Sequence, residues 1–199
     1  MTPQEFYGAA YAQLCAAEQQ LTELIGRCPI ARDSGAGEGA VLYCSSRIKT
    51  PESMMGKLKK NGLPPTGRAA MEHMHDAVGV RAVCAFTDDV YRVAAWLAVQ
   101  PELRRETVKD YIASPKPNGY RSYHLIVYLT AGPGAGVRAE IQLRTIAADF
   151  WAALEHQMKY KHTVHHEQLI RDELKRCADE IASVDLSMQT IRELLAQDF

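Results

Sequence analysis

The sequence predicts an α/β (α+β) chain, a mixed β-sheet flanked by helices with helical extensions at both ends, on three observations. Between 137 and 145 the side chains alternate, Val137, Ala139, Ile141 and Leu143 against Arg138, Glu140, Gln142 and Arg144, which is the period of a strand with one face in a core. Between 41 and 60 an apolar strand runs into a helix whose start is marked by Thr50 as N-cap, Pro51 at the first helical position and Glu52 against the helix dipole. From there strand-length and helix-length patterns alternate as far as residue 99, and three strand-like segments follow.

Taken in order, the elements begin with a helix over 3–26, where Tyr7, Ala10, Leu14, Ala17, Leu21 and Leu24 recur at steps of three and four. A Gly-rich loop over 32–40 leads into the apolar strand at 41–43 and its capped helix. Gly35, Gly37 and Gly39 mimic a dinucleotide fingerprint, but they precede a strand instead of joining a strand to a helix, so a flexible linker is the expectation. A strongly apolar strand follows His75 and Asp76 and carries an internal Arg81. Buried strands rarely hold an unpaired guanidinium, so Arg81 is expected to meet a ligand, a ring or a carboxylate.

Asp88 and Asp89 are expected to cap a helix running to about Val99. Strands are then expected over 104–112, 121–130 and 137–145, the last two joined by the glycine-rich turn at 132–136. A helix over 146–161 closes the core. The last helix places Ile170, Leu174, Cys177, Ile181, Val184, Met188, Ile191 and Leu195 at alternating steps of four and three, a seam that packs on the protein's own body or on another subunit. The expected division is 1–40 for helix and linker, 41–162 for the functional domain and 163–199 for the terminal helix.

The charges nearly cancel, with 23 Lys and Arg against 24 Asp and Glu. They are unevenly placed. Between 45 and 60 stand Arg47, Lys49, Lys57, Lys59 and Lys60 with only Glu52 to oppose them, a local cluster that suits a polyphosphate better than a long nucleic acid. Arg47 and Lys49 share a parity, and Ser53 and Lys57 share a helix face, so four polar groups can converge on an anion at a helix N-terminus. Asp76 and Glu140, from separate strands, offer oxygen ligands for magnesium. Between 109 and 124 the chain adds Lys109, Lys116, Asn118, Gly119, Tyr120, Arg121 and His124, three cations, an Asn-Gly turn, an aromatic ring and an imidazole. Together these outline a nucleotide site.

Four ordered segments, SRIKTPESMMGKL, HDAVGVRAV, DYIASPKPNGYRSYH, and RAEIQLRT followed by DFWAALEH, resemble the synthetase domain of the RelA/SpoT homologue superfamily. The length resembles that of its small alarmone synthetases. The resemblance implies a nucleotidyltransferase-like fold and transfer of the terminal pyrophosphate of ATP to the 3′-hydroxyl of GTP or GDP, making pppGpp or ppGpp. It implies that Arg47, Lys49, Ser53 and Lys57 hold the ATP phosphates and that Arg81 lies against adenine. Asp76 would bind Mg2+, and Glu140 would share the metal or accept the proton of the attacking hydroxyl. Tyr120 would stack on guanine, Lys116 and His124 would meet the acceptor's phosphates or ribose, and Asn118 would shape the loop or touch the base. Lys109, Arg121 and Gln142 would support them.

The resemblance also implies a homo-oligomer, a tetramer in particular, assembled through terminal helices. Some relatives are activated by their product between subunits, at positions matching Tyr43, Ser45 and Asp149. A carboxylate at 149 would repel a polyphosphate, which argues against product activation here. Two other readings stay open: a toxin-like pyrophosphokinase acting on tRNA 3′ ends or adenine nucleotides, and a non-catalytic nucleotide- or RNA-binding regulator. No further basic, aromatic-interleaved surface for tRNA is present, and Asp76 and Glu140 weigh against the regulator.

Other signals are set aside. His75 and Asp76 resemble half of a metal-phosphohydrolase signature, but too few residues precede them for the helical domain that it needs. His156, His162, His165 and His166 lack companion cysteines at zinc-ligand spacing. Five scattered cysteines without a CxxC pair point to free thiols in a reducing compartment. No signal peptide or membrane-spanning run is evident, so a cytoplasmic enzyme without membrane partners is expected.

Overall fold

The computed structural model describes residues 1–30, 39–159 and 167–197. At its centre β1 (Val41–Ile48), β2 (Val78–Cys84), β3 (Leu103–Asp110), β4 (Tyr123–Leu129) and β5 (Arg138–Thr145) form one sheet in the order β1-β2-β5-β4-β3. β2 and β5 run parallel while the other neighbours are antiparallel, so the sheet is mixed. The alternating strand, β5, is the middle one. Ala139, Ile141 and Leu143 are fully buried on one face, whereas Glu140 and Gln142 stay half-buried on the other.

The helices are α1 (Pro3–Tyr7), α2 (Ala10–Gly26), α3 (Pro51–Lys60), α4 (Gly67–His73), α5 (Thr87–Ala98), α6 (Ile146–Lys159) and α7 (Glu167–Gln197). α2 packs on β1 and β2, and α5 on β5 and its neighbours. Their apolar stripes, Leu14, Ala17, Leu21 and Leu24 from α2 and Val90, Val93, Ala94 and Leu97 from α5, join the inner faces of β2, β4 and β5 in one core. Burying each such Leu or Val side chain stabilises the fold by roughly 1.5 to 3 kcal/mol before chain entropy is counted. The opposite face of the sheet is left for polar groups.

Several boundaries differ from expectation. The first helix is two: Gly8, at φ 57°, stops α1, a backbone region that glycine enters without steric penalty. α1 has its own capping box between Thr2 and Glu5, and Tyr7 Oη donates to the Lys49 carbonyl at 2.9 Å, which ties it to the chain just ahead of α3. β1 continues past Tyr43 to Ile48 because it pairs along its length with β2. α4 was not anticipated from the sequence; Thr66 caps it, but at 7 residues it is too short to show a period.

Asp88 and Asp89 do not cap α5. Phe86 is the N-cap and makes no side-chain bond there, whereas Asp88 pairs with Arg192 of α7 and Asp89 is fully buried in the first turn. β3 ends at Asp110 because the carboxylate Oδ1 accepts the amides of Ile112 and Ala113, both at 2.9 Å, turning the chain. The terminal seam divides. Leu174, Cys177 and Ile181 pack with Trp151, Ala152 and Tyr120, but Val184, Met188, Ile191 and Leu195 are 49–60 % exposed. Most of the Gly-rich loop, and His162, His165 and His166, lie outside the described residues. The cysteines are free thiols, and no helix among the described residues is long and apolar enough to cross a membrane.

Candidate active site

Sheet register builds the site. Ser45 is opposite Arg81, Arg81 opposite Gln142, Gln142 opposite His124 and His124 opposite Lys109, so one transverse row crosses all five strands. In the next row Arg47 faces Gly79, and Gly79 faces Glu140. Lacking a side chain, Gly79 leaves open space between the two. Arg47, Lys49, Asp76, Arg81, Glu140 and Gln142 line one cleft there.

At one end of that cleft Asp76 Oδ2 accepts bonds from the ammonium groups of Lys49 and Lys57, the latter at 2.7 Å. Burial pushes the Asp76 carboxyl up, but the two lysines outweigh it and hold it below the ordinary carboxylate range. Its Oδ1 is buried without a hydrogen-bond partner among the described residues. Such an orphan is costly unless a ligand completes it. Thr50 caps α3 and accepts from the Ser53 amide at 3.4 Å, and Lys57 lies one turn on from Ser53. Arg47 lies on β1 and Lys49 just ahead of α3, Ser53 is in the first turn of α3, where the helix field favours an anion, and Lys57 reaches Asp76 from its last turn.

Glu140 is the centre of the other half. Its Oε1 meets His124 Nδ1 at 3.1 Å, and its Oε2 accepts from Gln142 Nε2 at 2.7 Å. Burial raises its carboxyl, yet the His124 contact, the Gln142 amide and the Lys57 charge together bring it down to about 2. It is a fixed anion at neutral pH. Its donor chemistry and the orphaned oxygen of Asp76 suit a hard divalent cation such as magnesium, with phosphate and water oxygens completing the shell.

The segment after β3 forms the third side. Tyr120 meets Tyr111 and His124 edge-on, with ring centroids 6.0 and 5.8 Å away. The Lys116 ammonium stands 4.7 Å from the centre of the Tyr120 ring. Asn118 Nδ2 donates to Glu155 at 2.9 Å and its Oδ1 accepts the Tyr120 amide at 3.3 Å, so its side chain shapes the loop. Gly119 adopts φ +86°, and a Cβ there would stand 2.5 Å from that of Ala178 on α7. Only glycine fits.

Arg121 and His124 have protein partners of their own. Arg121 turns to α7, donating to the Ala178 carbonyl at 3.2 Å and to Asp179 at 2.9 Å, so its guanidinium docks the terminal helix. His124 is 6 % exposed, wedged between Tyr120 and Glu140, and its first task is to hold those two. Lys109 is exposed on β3 beside this row. Arg81 lines the cleft and reaches Asp149 Oδ1 at 3.2 Å. Asp149 also takes Arg144 at 2.9 Å, so its charge is balanced internally and the repulsion argument against product activation loses its premise. Sequence reasoning passed over Arg144, although its parity with Glu140 and Gln142 was a usable signal.

A family model described as a region found in RelA / SpoT proteins matches residues 46–165. The chain belongs to the RelA/SpoT family. Among its relatives, GTP pyrophosphokinase YwaC of Bacillus subtilis is 42 % identical over 160 residues, covering 79 % of this chain and 76 % of that protein. Small alarmone synthetase 1 of Bacillus subtilis bound to its product pppGpp superposes with a TM-score of 0.82 at 28 % identity, over 92 % of this chain and 95 % of that one. The same protein bound to AMPCPP gives 0.73 at 26 % identity, over 93 % and 95 %. The match to the RelA/SpoT model begins within β1 and takes in Arg47, Lys49, Asp76, Arg81, Glu140 and Gln142 of the cleft.

Proposed function

We propose that the chain is a GTP pyrophosphokinase, moving the β,γ-pyrophosphate of ATP to the 3′-hydroxyl of GDP or GTP to give ppGpp or pppGpp and AMP. The observation that carries this reading is the cleft around Gly79 that brings Arg47, Lys49 and Asp76 together with Arg81, Glu140 and Gln142, with Lys57 paired to Asp76 and His124 to Glu140 behind it. Relatives named as GTP pyrophosphokinases, and structures of one relative with pppGpp and with AMPCPP, support it.

In the reaction a bond forms between O3′ of the acceptor and the β-phosphorus, the bond from that phosphorus to the α-bridging oxygen breaks with its electron pair leaving on AMP, and the O3′ proton passes to water. Two polyanions must be held in line against their mutual repulsion, so positioning and charge neutralisation carry most of the rate. Arg47, Lys49, Ser53 and Lys57 neutralise and orient the triphosphate, with Arg81 against the adenine. Tyr120 supplies the stacking face for guanine, while Lys116 and Lys109 attract the acceptor's phosphates. Magnesium would be held by Asp76 and Glu140 and would neutralise charge on the transferred group.

Labelled ATP offered with magnesium and, separately, GDP, GTP, ATP or deacylated tRNA tests this. Label is expected on GDP or GTP. Label on tRNA or an adenine nucleotide alone would assign the toxin-like activity, and no transfer would leave a binding module.

We also propose a homotetramer. Ile146, Phe150, Leu154 and Met158 form an exposed stripe on α6, 42–58 % accessible, separate from the exposed end of the α7 seam. Two apolar faces allow two different twofold interfaces, which a dihedral tetramer requires. Sedimentation is expected to give about four chains for the wild type and fewer for Phe150→Glu; a wild-type monomer would refute the assembly.

A further inference from the structure

Five side chains close a hydrogen-bonded ring beside the cleft. Arg144 Nη2 donates to Tyr120 Oη at 2.8 Å and to Gln142 Oε1 at 3.1 Å. Gln142 Nε2 donates to Glu140 at 2.7 Å, Glu140 meets His124 at 3.1 Å, and His124 Nε2 returns to the Tyr120 phenol at 2.8 Å. Outside the ring, Arg144 Nη1 lies 2.9 Å from Asp149 Oδ1, and that same oxygen is 3.2 Å from Arg81 Nη1. Asp149 Oδ2 accepts the Tyr43 hydroxyl at 3.2 Å.

Arg144 and Asp149 are 5 % and 8 % exposed. A buried ion pair is poor evidence of a stability role, because apolar residues of similar volume commonly do as well. What a guanidinium adds is direction. Its planar fork points one N–H at a carboxylate and another at a phenol, and with His124 it fixes the Tyr120 oxygen from two sides. Tyr120 sits in a segment without helix or strand, so its ring has no backbone ladder to orient it. A platform set in advance spares the acceptor the entropy of ordering it.

The geometry points to Arg144 and Asp149 as positioning residues for the two nucleotides: Asp149 fixes Arg144, which fixes Tyr120, and through its shared oxygen Asp149 also fixes Arg81. This rests on the pyrophosphokinase reading. Asp149 is the junction between the ATP side and the acceptor side. Arg144 bonds Tyr120 and Gln142 directly and touches Arg81 only through Asp149, and this difference makes the roles separable.

Initial rates with ATP and GDP, alongside melting temperatures, test this in Asp149→Asn, Arg144→Met, Arg144→Lys and the double variant R144M/D149N. The single changes Asp149→Asn and Arg144→Met are each expected to raise the acceptor KM about tenfold, the worth of one charge-assisted hydrogen bond. Only Asp149→Asn is expected to raise the ATP KM as well. Arg144→Lys keeps the charge but cannot span Tyr120 and Asp149, so its acceptor KM stays high. The double variant leaves no unpaired charge between these positions, so its melting temperature recovers toward wild type while its acceptor KM does not. Acceptor KM values within about twofold of wild type throughout, or a KM that recovers together with melting temperature in the double variant, would overturn the positioning role. Absence of transfer to both GDP and GTP by the wild type would overturn the pyrophosphokinase reading and this inference with it.

Discussion

Glu140→Gln is expected to lower transfer to GDP by about 10³-fold while ATP binding stays close to wild type. The carboxylate is bonded to His124 and Gln142, whereas Lys49 and Lys57, the cations proposed for the triphosphate, gather on Asp76. Removing its charge therefore strikes the reacting centre more than the triphosphate. A glutamine also cannot accept from both present donors with its nitrogen, so one bond of the ring is lost or reversed. Turnover by Glu140→Gln equal to that of wild type would refute this role.

The low Glu140 value fixes what kind of role it is. Its carboxyl is held at about 2, so it is ionised throughout the neutral range and a weak proton acceptor there. No acid limb from Glu140 is expected in the rate profile between about pH 5 and 8. Stability carries the same sign. A carboxyl whose folded value lies below its unfolded value of 4.5 stabilises the fold above that unfolded value. The contribution, on the order of 3 kcal/mol, is lost as pH falls from there toward the folded value. Melting temperatures of Glu140→Gln should therefore fall less steeply than those of wild type over that acid window. Parallel curves would mean that Glu140 keeps an ordinary carboxyl.

Much of this site was legible because it follows from parity and capping. The alternation of β5 placed Glu140 and Gln142 on one face, and Thr50, Pro51 and Glu52 located the start of α3 without help from tertiary structure. Residue order could not show that the sheet would bring β2, β5 and β4 together so that Arg81, Gln142 and His124 fall in one row, since register is settled by pairing among distant segments. The helix break at Gly8 was hidden by an apolar period that continues across it. Asp88 and Asp89 suggested caps because a local role is the default for acidic residues before a helix; their actual environment includes Arg192, far along the chain on α7. Arg144 and Asp149 illustrate the same limit. Their types signal charge, but only the fold shows that each is the other's partner.

The clearest separation of binding from catalysis is expected at Asp76. Asp76 neutralises Lys49 and Lys57, so a triphosphate binding to these lysines without metal must compete with a carboxylate for both. Asp76→Asn removes that competitor and keeps the shape. Metal-free ATP should then bind several-fold more tightly, since one unfavourable charge within a few ångströms of the phosphates is worth about 1 kcal/mol or more. Transfer with magnesium should nevertheless fall by about 10²-fold or more, because an anionic oxygen suited to the metal is gone. Lys57 is 42 % exposed, so solvent screens much of the lysine repulsion left behind and folding is expected to survive the change. Calorimetric titration of ATP in chelator, beside rate measurements in magnesium, reads both effects. Weaker metal-free binding in Asp76→Asn would show that the carboxylate organises the lysines for phosphate instead of competing with it, and unchanged transfer would remove Asp76 from the catalytic group.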